Sequence, residues 1–187
     1  MPSNNRSQPK AERRTALIEA ARELLVRDGY DMTTMAKIAA AAGATPNTLY
    51  WYFKDKDELL VAVLDVLQQE YLQAYEAEAA MIAAADKLVW MVEWLRPIQG
   101  LVATIHNRIK SSPPLDAWHD AFHAEVELLL YAEFPSDWPA ELRKAEARVV
   151  AFTLEGLVMH NVKPENTEAT CRSLARRWSA SGVQELP

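Results

Sequence analysis

The sequence predicts an all-α protein, and three observations carry that prediction. The chain has 187 residues but only five glycines, and it is rich in Ala, Leu and Glu, which favour helix. Its apolar residues recur at helical spacing, with no strand-like alternation of any length. Pro97, Pro113, Pro114, Pro135 and Pro164 fall between the periodic segments and punctuate them. Half of the residues are hydrophobic, enough for one large domain or two smaller ones sharing a helix.

Residues 1–9 are polar and are expected to form a disordered arm. Arg6 and Lys10 either reach a phosphate or a minor groove, or stay solvated. A first helix is expected from about Lys10 to Asp28, because Leu17, Ile18, Ala21, Leu24 and Leu25 share one face and Gly29 stops it. Residues 34–53, TMAKIAAAAGATPNTLYWYF, then read as two short helices around a tight turn. Thr34 caps the first, whose apolar face is Met35, Ile38, Ala39 and Ala42; Gly43 supplies the turn. Thr45 caps the second, and Pro46 sits at its first position, where a missing N–H costs nothing. Leu49 and Phe53, four apart, pack down on the first helix.

Such a pair is a helix-turn-helix, whose second helix can enter a DNA major groove, although ordinary helical hairpins share the spacing. The wheel leaves Asn47, Thr48 and Trp51 facing outward, with Tyr50 and Tyr52 on the flanks. That face suits bases and phosphates better than bulk water.

Asp55, with Glu58 three later, starts a fourth helix that runs through Leu59, Leu60, Val63, Val66 and Leu67 to about Ala77. It is long enough to act as a lever. Lys56 lies in its first turn, where backbone N–H groups favour an anion such as a DNA phosphate. Further helices are expected at about Asp86–Leu95, Ile98–Ile109, Asp116–Phe134, Pro139–His160 and Glu165–Ser179.

The net charge is −6, but it is unevenly spread. Residues 1–64 carry nine Lys/Arg and eight Asp/Glu, a balance of +1; residues 65–187 carry eleven and eighteen, a balance of −7. An acidic body with a near-neutral head steers DNA to the head. No stretch approaches the roughly 20 apolar residues of a membrane span, and the N-terminus lacks the apolar core of a signal peptide. The single cysteine, Cys171, permits no internal disulfide and fits a reducing cytoplasm.

On these residues the stretch from about Ala11 to Leu64 resembles the DNA-binding domain of the tetracycline-repressor-like (TetR) family of bacterial transcription regulators. The matching residues are Ile18, Ala20, Ala21, Leu24, Leu25 and Gly29, then Thr33, Thr34, Ile38, Ala39, Ala42 and Gly43, then Thr48, Leu49, Tyr50, Phe53, Lys56, Leu59 and Leu60. Ala44, Pro46-Asn47 and Tyr52 depart from the family's usual residues and bear on base preference rather than fold. The resemblance implies an N-terminal three-helix DNA-binding domain over residues 10–64. A long helix would link it to a C-terminal effector-binding and dimerisation bundle over residues 65–187.

It further implies a cytoplasmic homodimer on a palindromic operator, most simply a repressor released by a small-molecule effector, with no cofactor, no metal and no membrane partner. The DNA-binding set is then Thr34, Thr45, Pro46, Asn47, Thr48, Tyr50, Trp51, Tyr52 and Lys56. The effector set is Trp90, Trp94, His106, His119, Phe122, His123 and Phe152. The dimer set is Val149, Phe152, Thr153, Gly156, Leu157, Leu174 and Trp178.

His119 and His123, four apart on one helix, are half of a possible metal site; a third ligand would have to come from His106, His160 or Glu155, and the sequence shows no such convergence. A helical ligand-binding or scaffolding protein without sequence-specific DNA binding is the alternative. Nothing matches a catalytic triad, a phosphate loop or a carboxylate pair, so an enzyme is not expected.

Overall fold

The structure, a computed structural model, describes residues 9–179, so Arg6 and the rest of residues 1–8 lie outside it. Among the described residues the chain is helical and has no strand. The helices are α1 (Lys10–Asp28), α2 (Met35–Ala41), α3 (Pro46–Tyr52), α4 (Lys56–Ala74), α5 (Ala84–Leu95), α6 (Gln99–Arg108), α7 (Pro113–Tyr131), α8 (Ala140–Met159) and α9 (Pro164–Ser179).

Side chains set the early boundaries. Thr34 Oγ1 accepts from the Lys37 amide, Thr45 Oγ1 from the Thr48 amide and Asp55 Oδ1 from the Glu58 amide. Glu58 reaches back as a capping box requires, but to the amide of Lys54, one residue before the cap. Between α2 and α3, Gly43 has φ +62°, and the amides of Gly43 and Ala44 bond to the carbonyls of Ala40 and Ala39. This closing motif turns the chain within three residues and sets the angle between the two helices.

Three boundaries differ from expectation by three residues, one of them the end of α7, at Tyr131 rather than Phe134. Helix α7 begins at Pro113 rather than Asp116, because both prolines occupy its first positions, where no amide is needed. Helix α4 ends at Ala74, and a single widened turn, Tyr75–Ala79, carries the chain on.

Two buried clusters form the core. The first joins α1 to α4 through Leu17, Ile38, Leu49, Phe53, Leu59 and Leu60, and it also takes in Leu101, Ile105 and Leu115 from α6 and α7. The second joins α4 to α5, α7, α8 and α9 through Tyr71, Leu88, Leu130, Val150, Leu154 and Cys171. Trp94 packs against both. Nineteen residues of α4 span about 28 Å, so one stiff rod contributes to both clusters. A bidentate bond from Arg22 to Glu70, at 2.6 and 2.7 Å, ties that rod to α1. Among the described residues no helix is long and apolar enough to cross a membrane.

Candidate nucleic-acid interface and effector cavity

Helix α3 is short and is held from behind. Leu49 is fully buried and Phe53 nearly so, which fixes the opposite face outward. Thr45, Pro46, Asn47, Tyr50 and Trp51 are exposed there, and Thr34 is exposed at the start of α2. Thr48 and Tyr52 are half-buried. The Thr48 and Thr45 hydroxyls bond to each other at 2.9 Å, so they complete the helix start as well as facing outward. The first turn of α1 adjoins this face. Lys10 places its ammonium 4.5 Å from the Trp51 ring centre, and the Tyr52 hydroxyl donates to the Lys10 carbonyl. Arg14 stacks 5.2 Å from the Phe53 ring. Basic residues roughly 40 positions earlier therefore flank the reading helix, which spacing alone does not reveal.

Lys56 does not present its ammonium as expected. It donates to the carbonyls of Tyr30 and Thr33 at 2.7 and 2.9 Å and lies 3.7 Å from the Tyr30 ring centre. Burial pulls its pKa below the ordinary ammonium range. The physical reason is the turn between α1 and α2: Lys56 gives the Thr33 carbonyl a donor and the Tyr30 carbonyl, which already accepts from the Thr33 amide, a second one. Lys56 holds that turn; Lys54, beside it, is exposed.

Behind Lys56 the same turn meets the second half. The Arg108 guanidinium, at the end of α6, grips Asp57 in the first turn of α4 with bonds of 2.9 and 2.8 Å. The Tyr30 hydroxyl donates to the same carboxylate. Burial alone would raise the Asp57 pKa, but the bonds from Arg108 and Tyr30 outweigh it and hold the carboxyl below 3.8. Because the folded-state value is depressed, the stability it contributes is present above that pH and is lost as pH falls below it. Arg108→Ala should cost about 1–2 kcal/mol at neutral pH, discounted because the guanidinium is a third exposed. It should also flatten the acid limb of the stability profile. Urea unfolding from about pH 3 to 7 checks both, and identical acid limbs in the two proteins would refute the assignment.

A cavity of about 70 Å³ lies between α4, α5, α6, α7 and α8. That is room for a few water-sized molecules. Its wall includes Trp94, His106, Trp118, His119, Phe122, His123 and Glu155. Five of the seven residues expected to bind an effector are therefore brought together. Trp90 and Phe152 are not among them. Trp90 packs on Tyr71 and Tyr75 and donates to Glu78 at 3.0 Å; Phe152 is 57% exposed and touches only the edge of the site, 5.8 Å from the His123 ring. Each lies one residue away from its helix's cavity-facing stripe, and one residue is about 100° of turn.

Glu155, which the sequence offered only as a possible metal ligand, is the charged centre of the wall. Burial would raise its pKa, but bonds with His119 and His123 and the field of His106 hold it well below the usual carboxylate range. His160, by contrast, is exposed at the end of α8.

The expected dimer residues divide. Val149 and Phe152 are exposed and Thr153 and Gly156 half-buried, giving α8 an outward stripe at i, i+3, i+4 and i+7. Leu157, Leu174 and Trp178 are buried within the chain's own second cluster. Helix α9 spends its apolar face on that cluster, and its exposed side is Arg172, Ser173, Arg176 and Arg177. Of the expected dimer residues, the outward-facing apolar ones therefore lie on α8, and none lies on the exposed, polar side of α9.

Taken together, the chain combines a helix-turn-helix on a stiff rod with a cavity-bearing helical bundle. Residues 17–63 match the model for bacterial regulatory proteins of the tetR family. Over 60 residues it is 42% identical to the HTH-type transcriptional regulator TtgR of Pseudomonas putida, covering 32% of this chain and 29% of that one. That likeness therefore spans less than a third of the relative's length. Over 157 residues the chain is 26% identical to the HTH-type transcriptional regulator QacR of Staphylococcus aureus, covering 76% of this chain and 82% of QacR. The fold is similar to that of a transcriptional regulator from Rhodococcus sp. Rha1, with a TM-score of 0.74 at 16% identity over 88% of this chain and 95% of that one.

Proposed function

We propose that the chain is a sequence-specific DNA-binding transcription regulator. On this reading it acts as a homodimer, and a small effector in the cavity releases it from its operator. The observation that carries the reading is Asn47. It is exposed in the first turn of α3, backed by buried Leu49, and makes no side-chain hydrogen bond among the described residues. Asn in that position can pair with the N6 and N7 edge of adenine. Tyr50, Lys54 and Arg14 then reach phosphates and set register.

A single short helix makes too few contacts for selective binding. Two heads joined through the α8 stripe can read half-sites about 34–36 Å apart, or a multiple of a turn. The effector acts through geometry already described. His106, in the cavity wall, and Arg108, on Asp57, lie two residues apart on α6. A molecule larger than the cavity must spread its walls and displace α6, and Arg108 passes that displacement to the start of α4. Release requires that the effector bind the displaced state more tightly than the DNA-bound one.

Selection of duplexes from a random library, followed by affinity measurement on the retained site, tests the reading. Asn47→Ala should weaken the selected site by about 1–3 kcal/mol and relax discrimination at one base pair. Lys54→Ala should weaken all sequences alike and lower the salt slope by about one. If no duplex is enriched, the chain is a helical ligand-binding or scaffolding protein instead.

A further inference from the structure

We propose that His106, His119, His123 and Glu155 form a binding site for a divalent transition-metal ion of the zinc type in the wall of the cavity. Three of the chain's four histidines gather there. They come from α6 and α7, and the carboxylate comes from α8, so the fold and not local sequence assembles the set.

The donor atoms already lie at ligand spacing. Glu155 Oε1 is 2.5 Å from His106 Nε2, 3.4 Å from His123 Nε2 and 3.7 Å from His119 Nε2. The Nε2 atoms of His119 and His123 are 3.1 Å apart. A tetrahedral ion with bonds of roughly 2.0–2.1 Å separates its ligands by about 3.3 Å. The four distances bracket that edge; the His106–Glu155 contact must open, and His106 must draw in towards His123, which lies outside the group of atoms within 4.8 Å of one another. His106, His119 and Glu155 offer atoms all within 4.8 Å of one another; His123 joins through the other two.

The chemistry selects the class of ion. Imidazole nitrogen with one carboxylate oxygen suits Zn²⁺, Co²⁺ or Ni²⁺, whereas Mg²⁺ and Ca²⁺ take oxygen ligands. Two imidazole nitrogens facing each other in a largely apolar wall can share one proton between them, or both lone pairs can meet a cation. The half-buried carboxylate supplies negative charge that offsets the cost of holding a dication there. His123 Nδ1 is buried without a hydrogen-bond partner among the described residues, so nothing outside the cluster fixes its ring. It is the weakest of the four ligands.

The test uses the full chain, stripped with a chelator and titrated with Co²⁺ and then Zn²⁺, with no DNA present. Expected are one Co²⁺ per chain, the intensified visible absorption of a four-coordinate site, its loss on adding Zn²⁺, and a Zn²⁺-dependent rise in Tm. His119→Gln and His106→Gln should each lower affinity by at least about 10–100-fold, as should Glu155→Gln, with a smaller loss for His123→Gln. His160→Gln, outside the cluster, should bind as the unaltered chain does. The proposal is overturned if the unaltered chain gives neither visible band nor Tm shift, or if His160→Gln costs as much as His119→Gln. This result stands apart from the DNA reading. A chain that binds Co²⁺ and enriches no duplex keeps the metal site and loses the regulator; the converse outcome keeps the regulator alone.

Discussion

Lys87→Met should lower the unfolding free energy by about 3 kcal/mol, at the low end of what removing one partner of a buried ion pair costs. Lys87 is 3% exposed, and its ammonium donates to Glu133 at 2.6 Å and to the Ala80 carbonyl at 3.1 Å. The pair fastens α5 to the end of α7 and closes the widened turn after α4. Methionine keeps most of the volume, so the loss reports the stranded carboxylate rather than a hole. Glu133 is 22% exposed and can draw some water, which is why the low end applies. A second change, Glu133→Gln, removes the stranded charge and should restore much of the loss. Urea midpoints with an unchanged slope give both numbers. A loss under about 1 kcal/mol for Lys87→Met would show that the pair contributes no more than a surface bridge.

Phe53→Ala has a comparable or larger effect, about 3–5 kcal/mol, and it falls on the reading head. The ring is 1% exposed, closes the end of α3 and carries Arg14 on its outer side. Its loss leaves a hole in the first cluster that Leu49 and Leu59 cannot fill without moving α3 against α2. Hydrogen exchange should then show protection falling in α1 to α3 first, while α8 and α9, built on the second cluster, keep theirs. Selective DNA binding should disappear at temperatures where the bundle is still folded. Uniform loss of protection along the chain would mean that the two clusters unfold as one.

The contrast between these two residues also shows what the sequence discloses. Phe53 is legible because its partner in spacing, Leu49, is four residues away, and because Thr34, Thr45 and Asp55 each mark a helix start within three residues of the amide they cap. Local rules suffice there, and the starts of the first four helices are read nearly to the residue, although α4 ends three residues early. Lys87 is illegible because its partner is 46 positions away. The same limit applies to the cavity. Both the stripe of α5 that faces it, Met91, Trp94 and Leu95, and the residue beside that stripe, Trp90, are apolar, so periodicity cannot choose between them. On α8 the choice lies between Ala151, Leu154, Glu155 and Val158, which face inward, and Val149 and Phe152, which do not. His119 and His123 are visibly paired, but their meeting with His106 and Glu155 depends on how three helices pack. Lys56 fails for the opposite reason: a helix start favours an anion in general, yet two carbonyls of the neighbouring turn claim the ammonium first.

Leu101, Ile105 and Leu115 come from the second half of the chain and yet complete the core beneath the reading helix. An engineer who wished to graft this head onto another bundle would be tempted to cut near residue 64, where the match to the family model ends. Such a chimaera would seat foreign side chains under a surface moulded for these three. A functional swap must transplant them together with the head, so the modular seam is a patchwork of positions rather than a point on the chain.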